Sequence, residues 1–225
     1  MDILTTIATW LVPLIIAIVF HEVAHGLVAR RLGDPTAAAM GRLTLNPLKH
    51  IDPFGTVILP MALAVAHAPV FGWAKPVPVI KERLRNPRRD MVLVALAGPG
   101  MNLLLALVGT MVLGVTMAMS DGQPTGMLDL VAQNAVNFLL INIFLAVFNL
   151  IPLPPFDGGH VVEGLLPPSL ARRFATLGRF ALPVLIFLLL ILPMLSPRAN
   201  VVARLVSPIV EAIARFFLGL AGAIS

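Results

Sequence analysis

The sequence predicts an all-α polytopic membrane protein, on three observations. Only 12% of its 225 residues are charged and 58% are hydrophobic, where a soluble domain carries roughly 25% charged residues. Apolar runs long enough for a bilayer recur along the whole chain, and the mean hydropathy is +0.95. The basic residues gather in a few connecting segments, as the positive-inside rule requires of cytoplasmic loops. The absence of cysteine excludes a disulfide-stapled secreted module. The formal charge of +5 gives no support to nucleic-acid binding, because residues 72–90 alone hold six basic and two acidic side chains.

The first element is the 18-residue run from Ile3 to Phe20, whose only polar side chains are Thr5, Thr6 and Thr9. It is long enough to span. It starts Met1-Asp2 and ends in His21-Glu22, without the basic start and small-residue cleavage site of a signal peptide, so it reads as a mature helix. Gly41 to Leu45 and Val77 to Ile80 read as short strands of a small edge sheet. Phe54 to Val70 is short, carries Gly55, Pro60 and His67, and has basic loops on both sides. A single crossing would put one of those loops outside, so a re-entrant or partly buried hairpin is expected. Met91 to Met119, Leu130 to Ile151 and Phe180 to Leu195 read as further spans. The loop between the first two holds only Asp121 and Asp129, whereas the next holds Arg172, Arg173 and Arg179, an alternation that puts the N-terminus outside. Val201 to Ile224 carries Arg204, Glu211 and Arg215 on one helical face, which leaves open a helix lying on the membrane or one spanning it. No internal repeat or appended soluble domain is evident, so residues 1–225 read as a single domain, with a core at about 3–165 and accessory helices at about 166–225.

Ionisable groups inside a membrane are expensive, so each one asks for a reason. Three sit together in His21-Glu22-Val23-Ala24-His25. Two histidines four residues apart share one helical face and can give two nitrogens to one Zn²⁺. Glu22, beside one histidine and three residues from the other, can reach a water activated there without binding the metal. The competing reading is a polar helix end with Glu22 paired to Arg30 or Arg31. A site of this kind needs a third protein ligand. Asp157 follows an apolar span in Asn149-Leu150-Ile151-Pro152-Leu153-Pro154-Pro155-Phe156-Asp157-Gly158-Gly159. Prolines unwind this backbone and glycines let it turn sharply, so the carboxylate can be carried back into the bundle. A surface turn is the alternative for Asp157 alone; beside the two histidines, the ligand reading prevails.

On His21-Glu22-Val23-Ala24-His25, Gly98-Pro99-Gly100-Met101-Asn102 and Asn149-Leu150-Ile151-Pro152 leading into Phe156-Asp157-Gly158-Gly159, in that order, the chain resembles the site-2 protease family of intramembrane zinc metalloproteases. The resemblance covers about residues 15 to 165. It implies a site-2-protease-like helical core with one zinc per chain, held by His21, His25 and Asp157 on the cytoplasmic side of a bacterial or archaeal cell membrane. It implies regulated intramembrane proteolysis of transmembrane protein substrates, with Glu22 as the general base. The chain is similar to the compact members without a PDZ domain. Asn149 is a candidate for hydrogen bonding to the substrate or its oxyanion; Asn102 fits either that role or, with Gly98 and Ala106, a helix-packing stripe.

The alternative class is a transporter in which His21, Glu22, His25 and Asp157 carry metal ions or protons. It predicts a polar stripe through several spans and often repeated halves, whereas these groups gather at one depth. Of the remaining histidines, His50 reads as a loop residue, His160 as a partner orienting Asp157, and His67 as a cap on the hairpin. Oligomeric state is not readable from the sequence.

Overall fold

The computed structural model describes residues 3–65, 72–187, 191, 192, 200 and 202–224. Helix α1 (Ile3–Arg31), α4 (Pro87–Ala118) and α5 (Met127–Asn149) are the long apolar helices that carry the fold. A fourth, α9 (Ser207–Ile224), packs beside them. All four are long and apolar enough to cross a membrane. Between them lie the short helices α2 (Thr36–Ala39), α3 (Leu59–Val65), α6 (Asp157–Leu165), α7 (Pro168–Ala175) and α8 (Ala181–Ile186).

Small residues set how closely these helices approach. On α4, Val94, Ala95, Gly98, Asn102, Ala106, Gly109 and Leu113 are buried, a stripe that returns every third or fourth residue to one face. It meets Ala17, Ala24 and Ala29 of α1 and Ala132, Ala135, Leu139 and Ile143 of α5, all buried. Without a hydrophobic driving force in lipid, such small-residue seams let dispersion and buried hydrogen bonds hold helices together. The opposite faces expose Trp10, Leu11, Val12 and Ile16 on α1 and Leu104, Val108, Met111 and Val115 on α4. An exterior of that kind suits acyl chains rather than water.

Helix α9 combines an exposed charged face with a packed one. Arg204, Glu211 and Arg215 are exposed, but Ala214 and Ala221 are buried against α4 and α5. The charged face therefore points away from a helix that is packed into the bundle. The expected span from Phe180 to Leu195 is described only through α8 and a few residues after it, and its remainder falls outside the described residues.

The small edge sheet is not present: among the described residues there are no strands. Val77-Pro78-Val79-Ile80 alternates like a strand, but proline has no N–H for a ladder and forces the residue before it into extended backbone. Two of the three amides that remain go to carboxylates instead. Val77 N donates to Glu22 Oε2 at 2.7 Å and Ile80 N to Asp34 Oδ2 at 2.6 Å. In the other expected strand, Gly41 has φ +62°, and Thr44 spends its carbonyl on His50 Nε2 and its hydroxyl on Asn46 N.

After Asp52, whose carboxylate caps Phe54 N and Gly55 N, a π-helical turn Pro53–Ile58 leads into α3. Trp73 N then donates to Gly55 O at 3.1 Å, so the apolar segment returns to the place it left. His67 and the rest of residues 66–71 fall outside the described residues.

Asp34 ties the end of α1 to the extended segment. It is fully buried, and its carboxylate accepts from the Thr36 hydroxyl, Thr36 N and Ile80 N. Burial opposes its ionisation, but these bonds and the nearby Arg83 more than offset that, so the carboxyl titrates below its ordinary range. A carboxyl depressed by folding stabilises the native state above the unfolded value of about 4, and that contribution is lost as pH falls through the lower native value. Asp34→Asn is therefore expected to be least stable relative to wild type near neutral pH, with the gap in detergent melting temperature narrowing below about pH 4. A gap that stays constant with pH would show that the carboxylate's charge contributes nothing.

Candidate metal centre

His21 and His25 lie one turn apart toward the C-terminal end of α1, both buried. Asp157 is the first residue of α6, brought to them by the turn at residues 150–156, which includes a cis Pro154–Pro155 bond. The turn is tight enough that a Cβ on Gly158 would lie 2.3 Å from Leu150 O. His21 Nε2 is 3.2 Å from Asp157 Oδ2, His25 Nε2 is 3.4 Å from Asp157 Oδ1, and the two Nε2 atoms are 3.0 Å apart. In a tetrahedral zinc site with bonds near 2.0–2.1 Å, neighbouring donors sit about 3.3 Å apart. The observed separations lie close to that value, with Asp157 facing each histidine through a different oxygen. Asp157 Oδ2 is also buried without a hydrogen-bond partner, as expected of an atom whose natural partner is a cation.

The histidines are aimed by bonds to their other nitrogens. His25 Nδ1 lies 2.7 Å from Val94 O, a carbonyl that can only accept, so Nδ1 carries the proton and Nε2 presents its lone pair. His21 Nδ1 lies 2.5 Å from Asn102 Oδ1. The amide orientation follows from its other end, since Asn102 Nδ2 donates to Ala17 O at 3.2 Å and to Asn142 Oδ1 at 2.9 Å. Asn142 is fully buried and donates in turn to Phe138 O. A chain of amides from α5 through α4 thus fixes the His21 tautomer on α1.

Gly98 completes the cradle. A Cβ there would lie 2.4 Å from His25 Nε2 and 2.6 Å from His21 Nε2, so only glycine lets α4 pass this close to the two converging nitrogens.

Glu22 is not among the three converging donors. Its carboxylate is half-buried and is held through Oε2 by Val77 N. It makes no ion pair with Arg30 or Arg31 among the described residues.

Of the remaining sequence candidates, Asn102 reaches the cluster through His21 and the others do not bond to it. Both hydrogens of Asn102 Nδ2 are engaged, so its geometry positions His21 and leaves no donor for an oxyanion. Asn149 turns its amide back to Leu145 O of its own helix at 3.0 Å and makes no hydrogen bond to the cluster among the described residues. His160 is half exposed and faces Glu163 at 3.7 Å, with no hydrogen bond to Asp157. Glu163 also binds Lys81 at 2.6 Å, which pins α6 to the segment leading into α4. His50 is buried and bonded to Thr44 O.

The sequence reading did not single out Asn142 or Val77. A polar side chain inside an apolar helix was the available signal for Asn142. Nothing local marks Val77, whose role rests on a backbone amide.

Asn102→Ala is expected to lower zinc affinity about 10- to 100-fold, the usual cost of losing a partner that orients a metal-binding histidine. Titration against a competing chelator checks this, and an affinity equal to wild type would mean that the amide chain does not orient His21.

The sequence model for peptidase family M50 matches residues 9–134 and 115–192 of the chain. A Bacillus subtilis (strain 168) protein named "Putative zinc metalloprotease YwhC" is 35% identical over 207 residues, 89% of this chain and 91% of that protein. A Mycolicibacterium smegmatis protein named "Putative zinc metalloprotease Rip2" is 31% identical over 195 residues, 86% of this chain and 68% of its own length. Its namesake in Mycobacterium tuberculosis (strain ATCC 25618 / H37Rv) is 35% identical over 185 residues, covering 82% and 66%. No solved structure gives a significant match.

Proposed function

Since the chain belongs to peptidase family M50, the site-2 protease family, we propose that this zinc metalloprotease is an intramembrane endopeptidase that cuts transmembrane helices of other proteins, in regulated intramembrane proteolysis. The single observation that carries the reading is the convergence of His21, His25 and Asp157 within 4.8 Å of one another, in a bundle whose outer faces are apolar.

In this reading His21 Nε2, His25 Nε2 and Asp157 hold the zinc. Bound there, zinc supplies Lewis acidity that polarises a scissile carbonyl and makes hydroxide available near neutral pH. Glu22 takes the proton of the attacking water and passes it to the leaving amine, the work of a general base that then turns acid. Val94 O and Asn102 hold the imidazole tautomers. Asn149 would have to turn away from Leu145 O to reach a substrate. A helix shields its own peptide bonds, so the substrate must unwind locally before attack.

We further read residues 1–225 as one unit, with the apolar hairpin at residues 54–70 re-entering the bilayer. The positive-inside rule puts the basic loops, and with them the site, toward the cytoplasm.

The test is reconstitution of the purified chain in liposomes with single-span peptides. Cleavage within or next to a span, abolished by a zinc chelator and restored by added Zn²⁺, is the expected result. Zinc-loaded protein that cleaves none of the panel but carries zinc across the bilayer would favour the transporter instead.

A further inference from the structure

Residues 75–80 run extended without joining a sheet, yet four of their backbone polar groups are bonded to other parts of the chain. Lys75 N donates to His50 O at 2.9 Å, and Lys75 O accepts from Arg42 Nη2 at 2.8 Å. Ile80 N is held by Asp34. Between these anchors Pro76 and Pro78 have no N–H, so residues 76–78 offer one donor, the amide of Val77. It goes to Glu22 Oε2 at 2.7 Å. The Val77 side chain is also buried and sits over Gly26, one turn beyond Glu22, where a Cβ would meet Val77 Cγ1 at 2.9 Å and Leu43 Cδ2 at 2.4 Å. Two independent contacts therefore dock Val77 on the face of α1 that carries Glu22.

We propose that the Val77 backbone amide is a positioning group for Glu22: it holds Oε2, removes the rotational freedom of the carboxylate, and leaves the other oxygen for proton transfer. The proposal rests on the reading of Glu22 as the general base. A glutamate side chain is otherwise free about three torsions, and proton transfer requires it within hydrogen-bond reach of the proton it takes. A rigid backbone donor fixes it at lower entropic cost than a second flexible side chain would. The two prolines explain how the sequence secures this: they keep the backbone extended and take away competing donors on either side.

Hydrogen exchange reads the contact without reference to proteolysis, because residues 76–78 contain a single exchangeable amide. Exchange at Val77 is expected to be at least tenfold faster in Glu22→Ala than in wild type, and to stay slow in Glu22→Gln, which keeps an acceptor. Equal exchange in wild type and Glu22→Ala overturns the proposal.

The consequence for the reaction is read with the membrane peptide that wild type cleaves best. Val77→Pro deletes the N–H and is expected to lower kcat at least tenfold, with KM within twofold and one zinc per chain retained. Val77→Ala, which keeps the N–H, is expected to recover most of that loss. Where the proline variant does not accumulate, an ester in place of the peptide bond at Val77 removes the same N–H. Full activity without the N–H, a loss confined to KM, or a gain in rate overturns the positioning role. Normal cleavage by Glu22→Gln would instead remove the general-base reading, and the exchange experiment would still report whether Val77 binds Glu22.

Discussion

Glu22→Gln is expected to keep one zinc per chain and to lower peptide cleavage by roughly 10²- to 10⁴-fold, the range that a positioned general base contributes. The substitution changes charge and basicity while keeping shape. The Gln carbonyl oxygen can still accept from Val77 N, so the docking of residues 75–80 on α1 should survive, and the three metal donors are left untouched. A drop in kcat with unchanged zinc separates this role from a structural one. Zinc loss in the variant would mean that Glu22 supports the metal site, and normal cleavage would place the proton transfer elsewhere.

The second large effect is expected from a single methyl group. Gly98→Ala places a Cβ 2.4 Å from His25 Nε2 and 2.6 Å from His21 Nε2, inside contact distance of both metal-facing atoms. Helix α4 cannot easily withdraw, because Val94 O is bonded to His25 and Asn102 to both His21 and Ala17 O. The imidazoles must move instead, and overpacking of this kind costs about 1–3 kcal/mol, or roughly five- to 150-fold in zinc affinity. Gly100→Ala is the control. A Cβ there meets nothing within 4 Å, so the methyl group should be neutral for zinc and slightly favourable for the helix. Equal zinc affinity in the two variants would contradict the cradle described for Gly98.

What was legible in the sequence was what depends on local pattern. Hydropathy located α1, α4 and α5, because a spanning helix must satisfy its own backbone and be apolar over its length. The two histidines at i and i+4 read as one face from helical geometry alone. Asp157 was legible only in company, since Pro, Asp and Gly also describe an ordinary turn.

The misreadings came where backbone partners are distant in sequence. Val77-Pro78-Val79-Ile80 has the alternation of a strand, yet two of its donors find Glu22 and Asp34, each more than forty residues away. Arg204, Glu211 and Arg215 marked an exposed face of α9, whereas the packing of Ala214 and Ala221 depends on the register between helices. Gly98, Asn102 and Ala106 read as a packing stripe; that the stripe passes over two imidazoles was not visible, because it needs the register between α1 and α4. The link from Asn102 to Asn142 needs the α4–α5 register in the same way.

Metal content and zinc K-edge X-ray absorption of the purified chain test the centre most directly. One zinc per chain is predicted, bound by two imidazole nitrogens and by oxygen donors at about 2.0–2.2 Å. The metal should fall below about a tenth of that in the His21→Ala, His25→Ala double variant and in Asp157→Ala, since a catalytic site has only three protein ligands to lose. A full equivalent of zinc retained in the double variant would contradict a centre built on His21, His25 and Asp157.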